Sequence, residues 1–167
     1  MTHLVRDYAP LLDRFQATRL LAAHSREDSM RRVVDALWEA TGTRGVSWIG
    51  FYTKVNGRDE MILGPLRDKP ACSPIGLNGV CGRCWLERRP IVVADVAMLG
   101  KNYIACDPRD RSEVVIPLLE SDGTCWGVLD ADSYDTNSFD TADVVGLTTL
   151  AEHAGLSAAE PGAILRL

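Results

Sequence analysis

The side chains best suited to chemistry in this chain are a few of its five cysteines and the acids placed near them. Cys106 lies in a polar loop among acids and arginines, and Glu113 follows it at the start of Glu113–Leu119. That run is rich in β-branched residues and predicts a strand largely buried in a sheet. A thiol offers a nucleophile, and an acid at the mouth of an apolar strand offers a proton donor. The plain alternative is a surface loop with an inert cysteine. A second pair of acids, Asp130 and Asp132, stands at i and i+2 near the end of a returning strand, Thr124–Asp132. They point the same way and repel each other when both are ionised, unless they are merely solvated at a sheet edge. In a third strand, Val46–Thr53, Trp48, Gly50 and Tyr52 share one face. Two aromatics around a glycine read as a slot with walls and an open floor, or as ordinary core packing.

The other cysteines are Cys72, Cys81, Cys84 and Cys125. An odd number without a secretory leader favours redox chemistry, metal binding or burial over a disulfide framework. Cys81-Gly-Arg-Cys84 reads as a redox pair or as half of a zinc site completed by Cys72 and Cys106. Four-thiolate zinc sites usually show two close pairs, whereas Cys72 and Cys106 stand alone, so zinc is disfavoured. Histidines occur at 3, 24 and 153, none beside a cysteine, and this gives poor support to a Cys-His pair or a Ser-His-Asp triad. GLNGVCG matches neither common phosphate-loop pattern. A net charge of −5 without a Lys/Arg-rich run argues against nucleic acid or anionic lipid as the main partner. No stretch approaches the roughly 18 apolar residues of a membrane span, and the first residues lack the apolar core of a signal peptide. The expected location is the cytoplasm.

The elements that must position these groups form one α+β domain, an antiparallel sheet with helices packed on it. Tyr8, Leu11, Leu12 and Phe15 follow helical spacing within an N-terminal segment, 1–24. Ser25 offers the N-cap of the clearest helix, with Met30, Val33, Val34, Leu37 and Trp38 on one stripe and Gly42 at its close. The domain proper runs from 25 to 156. Asn56-Gly57 turns the first strand into a second, Glu60–Leu63, and 64–75 reads as a loop with three prolines. A short helix carries Cys81 and Cys84, and Ile91–Ala94 is another strand. The stretch 95–111 is long for a connection and has the character of a binding loop or lid. Trp126, Val128, Asp130 and Asp132 are expected on one face of their strand. A final helix carries Val144, Leu147, Ala151 and Ala154, and 157–167 reads as a tail.

Several runs then fall in a familiar order: WIGFY (48–52), GP with KPAC (64–65, 69–72), GVCG (79–82), IACD (104–107), RSEVVIPL (111–118) and GVLDADS (127–133). Over about residues 20–155 they closely resemble the free methionine-(R)-sulfoxide reductases, stand-alone enzymes with a GAF fold. WxGFY and GVLDxDS occur in other GAF domains, and the three cysteines in their company are the more specific feature. The resemblance implies that Cys106 is the nucleophile, Cys72 the principal resolving cysteine and Cys81 an additional one. It implies aromatic walls from Trp48 and Tyr52, and that Glu113, Asp130 and Asp132 hold the sulfoxide oxygen and the substrate amino group. The implied reaction passes through a cysteine sulfenic acid and an intramolecular disulfide, with no metal or organic cofactor. Its implied partners are free methionine-(R)-sulfoxide, thioredoxin or a similar dithiol, and a second copy paired through terminal helices. Arg109 or Arg111 would favour the thiolate, partly offset by Asp107 and Asp110. Against the family pattern, Cys72 to Cys81 is one residue short and Cys81 to Cys106 one long. Tyr103 replaces a usual histidine, and Cys84 is extra. The alternative reading is a GAF sensor that binds a small ligand without catalysis.

Overall fold

The computed structural model describes residues 5–18, 25–100, 103 and 105–167. Parts of the N-terminal segment 1–24, with His3 and His24, and part of the 95–111 loop, with Ile104, lie outside the described residues. Helix α1 (Ala9–Thr18) precedes α2 (Arg26–Thr41), whose first turn is capped by the Ser25 side chain accepting from the Asp28 N–H. Strands β1 (Trp48–Lys54), β2 (Glu60–Arg67) and β3 (Ile75–Gly76) lead to α3 (Val80–Glu87). Then come β4 (Ile91–Val93), a 3-10 turn at Val96–Leu99, β5 (Ser112–Leu119), β6 (Cys125–Ser133), α4 (Thr141–His153) and β7 (Leu165–Arg166).

The seven strands form one sheet in the order β3-β2-β1-β6-β5-β4-β7. Every pairing is antiparallel except the edge pair β4–β7, which is parallel, so the sheet is mixed. The end of the expected tail thus adds a strand, because the main chain of β4 would otherwise leave an open edge. β2 also runs on to Arg67, beyond the predicted Leu63, and includes Pro65. This is tolerated because β3 covers only Glu60 and Met61, leaving the rest of that edge with no ladder bond for Pro65 to lose.

Alternation along the three central strands divides the molecule into two packed layers. Ile49 and Phe51 of β1, Val114, Ile116 and Leu118 of β5, and Leu129 and Ala131 of β6 face a core shared with α1, α2 and α4. Trp48 and Tyr52, Val115, and Val128 face the opposite side, where α3 packs. The expectation for Trp126 fails. A bulge pairs Leu118 with Gly127 but Leu119 with Cys125, and the extra residue turns Trp126 into the helical core. There its ring lies under Arg26 and its indole N–H donates to the Leu156 carbonyl. Ahead of α1, Arg6 and Tyr8 both bond to the buried Asp143 carboxylate of α4, which ties that segment into the same core.

Candidate active site

The face of the sheet opposite the three helices carries a cavity of about 330 Å³. Its lining includes all eight side chains singled out in the sequence: Cys72, Cys81 and Cys106, Trp48 and Tyr52, and Glu113, Asp130 and Asp132. Period two alone puts the aromatics and acids there: β1 pairs Trp48 with Asp132 and Gly50 with Asp130, and β5 pairs Glu113 with Asp132. The thiols arrive from three other places. Cys72 comes from the loop after β2, Cys81 from the first turn of α3, and Cys106 from the loop before β5.

The aromatic wall differs from the open slot expected. Trp48 and Tyr52 are both buried, their rings 6.2 Å apart and tilted by 36°. The indole folds over Gly50, so that a Cβ there would lie only 2.2 Å from Trp48 Cη2. The missing side chain is therefore occupied by the tryptophan itself. Both aromatics also hold the thiol loop from beneath. Trp48 Nε1 donates to the Lys69 carbonyl at 2.8 Å, and the Tyr52 hydroxyl donates to the Cys72 carbonyl at 2.9 Å.

The acids are not a solvated edge. Glu113 is 4% and Asp130 6% exposed, and Asp132 is half-buried. Burial, the largest influence, and mutual repulsion push all three carboxyls well above the usual carboxylate range. Glu113 Oε1 and Asp130 Oδ1 are buried without a hydrogen-bond partner among the described residues. Among the described residues the cavity lining contains no lysine, arginine or histidine. The three acids place ligand atoms within 4.8 Å of one another, close enough to gather round a cation. The thiols form no comparable group among the described residues.

Two lining residues were missed in the sequence. Asp110 is 6% exposed, accepts from the Ser47 hydroxyl at 3.3 Å and is also raised, chiefly by burial. Tyr103 lies in the same lining, where its hydroxyl partly offsets the rise at Glu113, and is itself raised by burial. Asp110 had one signal, its spacing of four from Cys106, but only the fold of the loop turns it inward.

Cys106 and Cys72 are free and exposed, with the Cys72 thiol in hydrogen-bond reach of the Cys106 sulfur. Partial burial, and then that neighbouring thiol, push Cys106 up to about 12, while the Cys72 N–H and the Tyr52 hydroxyl favour its thiolate. The arginines expected to help do not. Arg109 pairs with Asp107 at 2.8 Å and stacks on Tyr134, and Arg111 faces Asp95 at 3.4 Å. Asp107 also accepts from Lys69 at 3.0 Å and from Tyr134 at 3.1 Å, which clasps the Cys72 loop to the Cys106 loop. Cys84 and Cys125 lie outside this lining. Cys84, on the buried side of α3, is fully buried with its thiol toward the Val115 carbonyl, and the Cys125 thiol donates to the Gly127 carbonyl.

A second cleft of about 170 Å³ adjoins the cavity and shares Cys106, Asp110, Asp132, Trp48 and Ala71 with it. Lys69 and Asp107 line the new part. One sulfur thus borders two openings.

Comparison with known proteins fits this geometry. The family model for the GAF domain matches residues 23–157. A Saccharomyces cerevisiae protein named free methionine-R-sulfoxide reductase is 37% identical over 120 residues, 70% of this chain. The match spans 66% of the yeast protein, just under two thirds of its length. Among solved structures, the free methionine-R-sulfoxide reductase of Neisseria meningitidis in complex with its substrate superposes with a TM-score of 0.79. It is 33% identical, with 92% of each chain covered. A Staphylococcus aureus fRMsr complex with substrate gives a TM-score of 0.81 at 31% identity, covering 95% of this chain and 100% of that one. Matched along most of its length by the domain model and along nearly all of it by these enzymes, the chain belongs to the GAF-domain family and, within it, to the free methionine-R-sulfoxide reductases.

Proposed function

We propose that this protein reduces free L-methionine-(R)-sulfoxide to methionine with thiol electrons. One observation carries the reading: two free, exposed cysteines, Cys106 and Cys72, near enough to influence each other's ionisation, line one cavity with buried, protonatable acids. A sulfoxide sulfur becomes electrophilic once its oxygen is protonated. Carboxyls held above their usual range can make that donation near neutrality. Cys106 then attacks the protonated sulfoxide sulfur; as the substrate S–O bond and the transient S–S bond break, the oxygen passes to Cys106 as a sulfenic acid and the methionine sulfur leaves with the electron pair and both C–S bonds intact. The Cys72 N–H stabilises the thiolate as it forms, in place of a neighbouring positive charge, and the Tyr52 hydroxyl joins it by turning its single proton from the Cys72 carbonyl to the sulfur.

The second half needs only Cys72. Its sulfur displaces hydroxide from the Cys106 sulfenic acid, water departs, and a disulfide remains. A dithiol reductant of the thioredoxin kind restores both thiols by exchange, its own sulfurs becoming the disulfide. The smaller cleft gives that reductant a path to Cys106 separate from the cavity. Such a cycle suits a reducing cytoplasmic setting, with a second copy as the assembly partner expected from the family. Among the described residues no helix is long and apolar enough to cross a membrane.

The substrate class follows from charge. Four acids and no basic side chain among the described lining residues favour a ligand that brings its own ammonium group. A methionine sulfoxide inside a peptide lacks it, and an unpaired buried acid costs several kcal/mol. The test gives the enzyme both epimers of free methionine sulfoxide and a peptide with an internal sulfoxide, with dithiothreitol as reductant. Methionine is expected from the free R epimer, little from the S epimer and almost none from the peptide. Equal rates on free amino acid and peptide would overturn the assignment.

A further inference from the structure

Cys81 is the one thiol of the cavity that does not face the other two. It sits in the first turn of α3, 7% exposed, and its thiol donates to Asp130 Oδ2 at 3.3 Å. A close approach of α3 sets this geometry. A Cβ at Gly82 would lie 2.3 Å from the Leu77 backbone, so glycine lets the helix start press against the preceding loop. The other oxygen, Asp130 Oδ1, is buried without a partner among the described residues, in a cavity that the substrate is proposed to fill. Among the described residues, one oxygen of Asp130 is thus held by Cys81 and the other by none.

We propose that Cys81 is a positioning residue that fixes the Asp130 carboxyl by an S–H···O hydrogen bond, rather than a cysteine that exchanges sulfur. The proposal rests on the substrate reading above and refines it. A thiol that donates its proton to a carboxylate is a neutral group, and a resolving cysteine must instead present its sulfur to the sulfenic acid. Cys72 is near enough to Cys106 to influence its ionisation, and the Cys81 thiol is turned to Asp130. Burial, with the Asp130 and Glu113 charges, further disfavours its thiolate. With one oxygen of Asp130 tethered, the other keeps a fixed direction for the substrate.

Serine keeps the donor and removes the sulfur chemistry, while alanine removes both. Cys81→Ala is expected to lower kcat/KM for free methionine-(R)-sulfoxide at least fivefold. It should also move the Asp130 carboxyl titration, followed by carbon NMR, to higher pH, since the bond favours the charged form. Cys81→Ser should recover most of both changes. Peptide mapping of either oxidised variant should give the Cys72–Cys106 disulfide. Equal loss of activity in serine and alanine variants would overturn the proposal, as would an Asp130 titration indifferent to alanine. If the wild-type protein reduces no methionine sulfoxide, the proposed function fails, and the Asp130 titration alone still decides the role of Cys81.

Discussion

The Tyr52 hydroxyl donates to the Cys72 carbonyl at 2.9 Å and lies within reach of the Cys106 sulfur. One phenol on a rigid central strand therefore bears on both thiols. A hydrogen bond of this kind contributes about 1 kcal/mol. Tyr52→Phe should raise the Cys106 pKa further and slow closure of the disulfide several-fold, while the aromatic wall survives. Alkylation rate against pH reports the first effect and rapid-quench trapping of the sulfenic acid the second. Wild-type behaviour in both would mean that the hydroxyl anchors the loop without touching the chemistry.

The thiols should separate by role. Cys106→Ser should abolish turnover. Cys72→Ser should release one equivalent of methionine per protein and then stall, because its sulfenic acid has lost its partner. Cys84 lies buried against the Val115 carbonyl, outside the cavity lining, and should appear unpaired in peptide maps of the oxidised enzyme. A Cys84–Cys106 peptide would sink the assignment of Cys72.

For the acids, Glu113→Gln, Asp130→Asn and Asp132→Asn keep shape and remove the proton. Each is expected to lower kcat/KM at least tenfold, about 1.4 kcal/mol of transition-state stabilisation. If all three matched the wild type, the cavity would not be where the chemistry occurs.

The same acids set a pH dependence of stability. A carboxyl raised on folding contributes stability that is complete below its unfolded value, about 4, and is lost as pH rises through the folded value. Glu113, Asp130 and Asp132 are all raised, so Tm should decline as pH increases from about 5. Glu113→Gln should flatten that decline. Calorimetry across pH checks it, and a slope unchanged in the variant would count against Glu113 as a strained buried acid. Asp107, held low by Arg109 and Lys69, acts oppositely and loses its contribution only in stronger acid.

Gly50→Ala tests the wall itself. The new methyl meets the Trp48 ring, which must swing toward the cavity. Overpacking of this kind costs about 1–3 kcal/mol. A lower Tm together with a raised KM is expected, and an unchanged KM would show that the indole position does not shape the substrate site.

Strand alternation is a local property, and the sequence alone determined much through it. Trp48 and Tyr52 share a face, as do Asp130 and Asp132, because side chains of a strand alternate whatever surrounds them. Ser25 and Gly42 bounded α2 for the same reason, since caps act within a single turn. The cysteine-bearing runs carried the family. Tertiary structure decided the rest. It set Cys72 rather than Cys81 against Cys106, and it turned Arg109 toward Asp107 instead of the thiol. It brought Asp110 inside and made a strand of Leu165–Arg166. One bulge was enough to move Trp126 to the opposite layer. Apart from the Arg109–Asp107 pair and the hairpin bulge, these outcomes depend on contacts between residues tens of positions apart, whose geometry is fixed by how loops close over the sheet and by which groups burial leaves without water. Spacing along the chain holds no record of either.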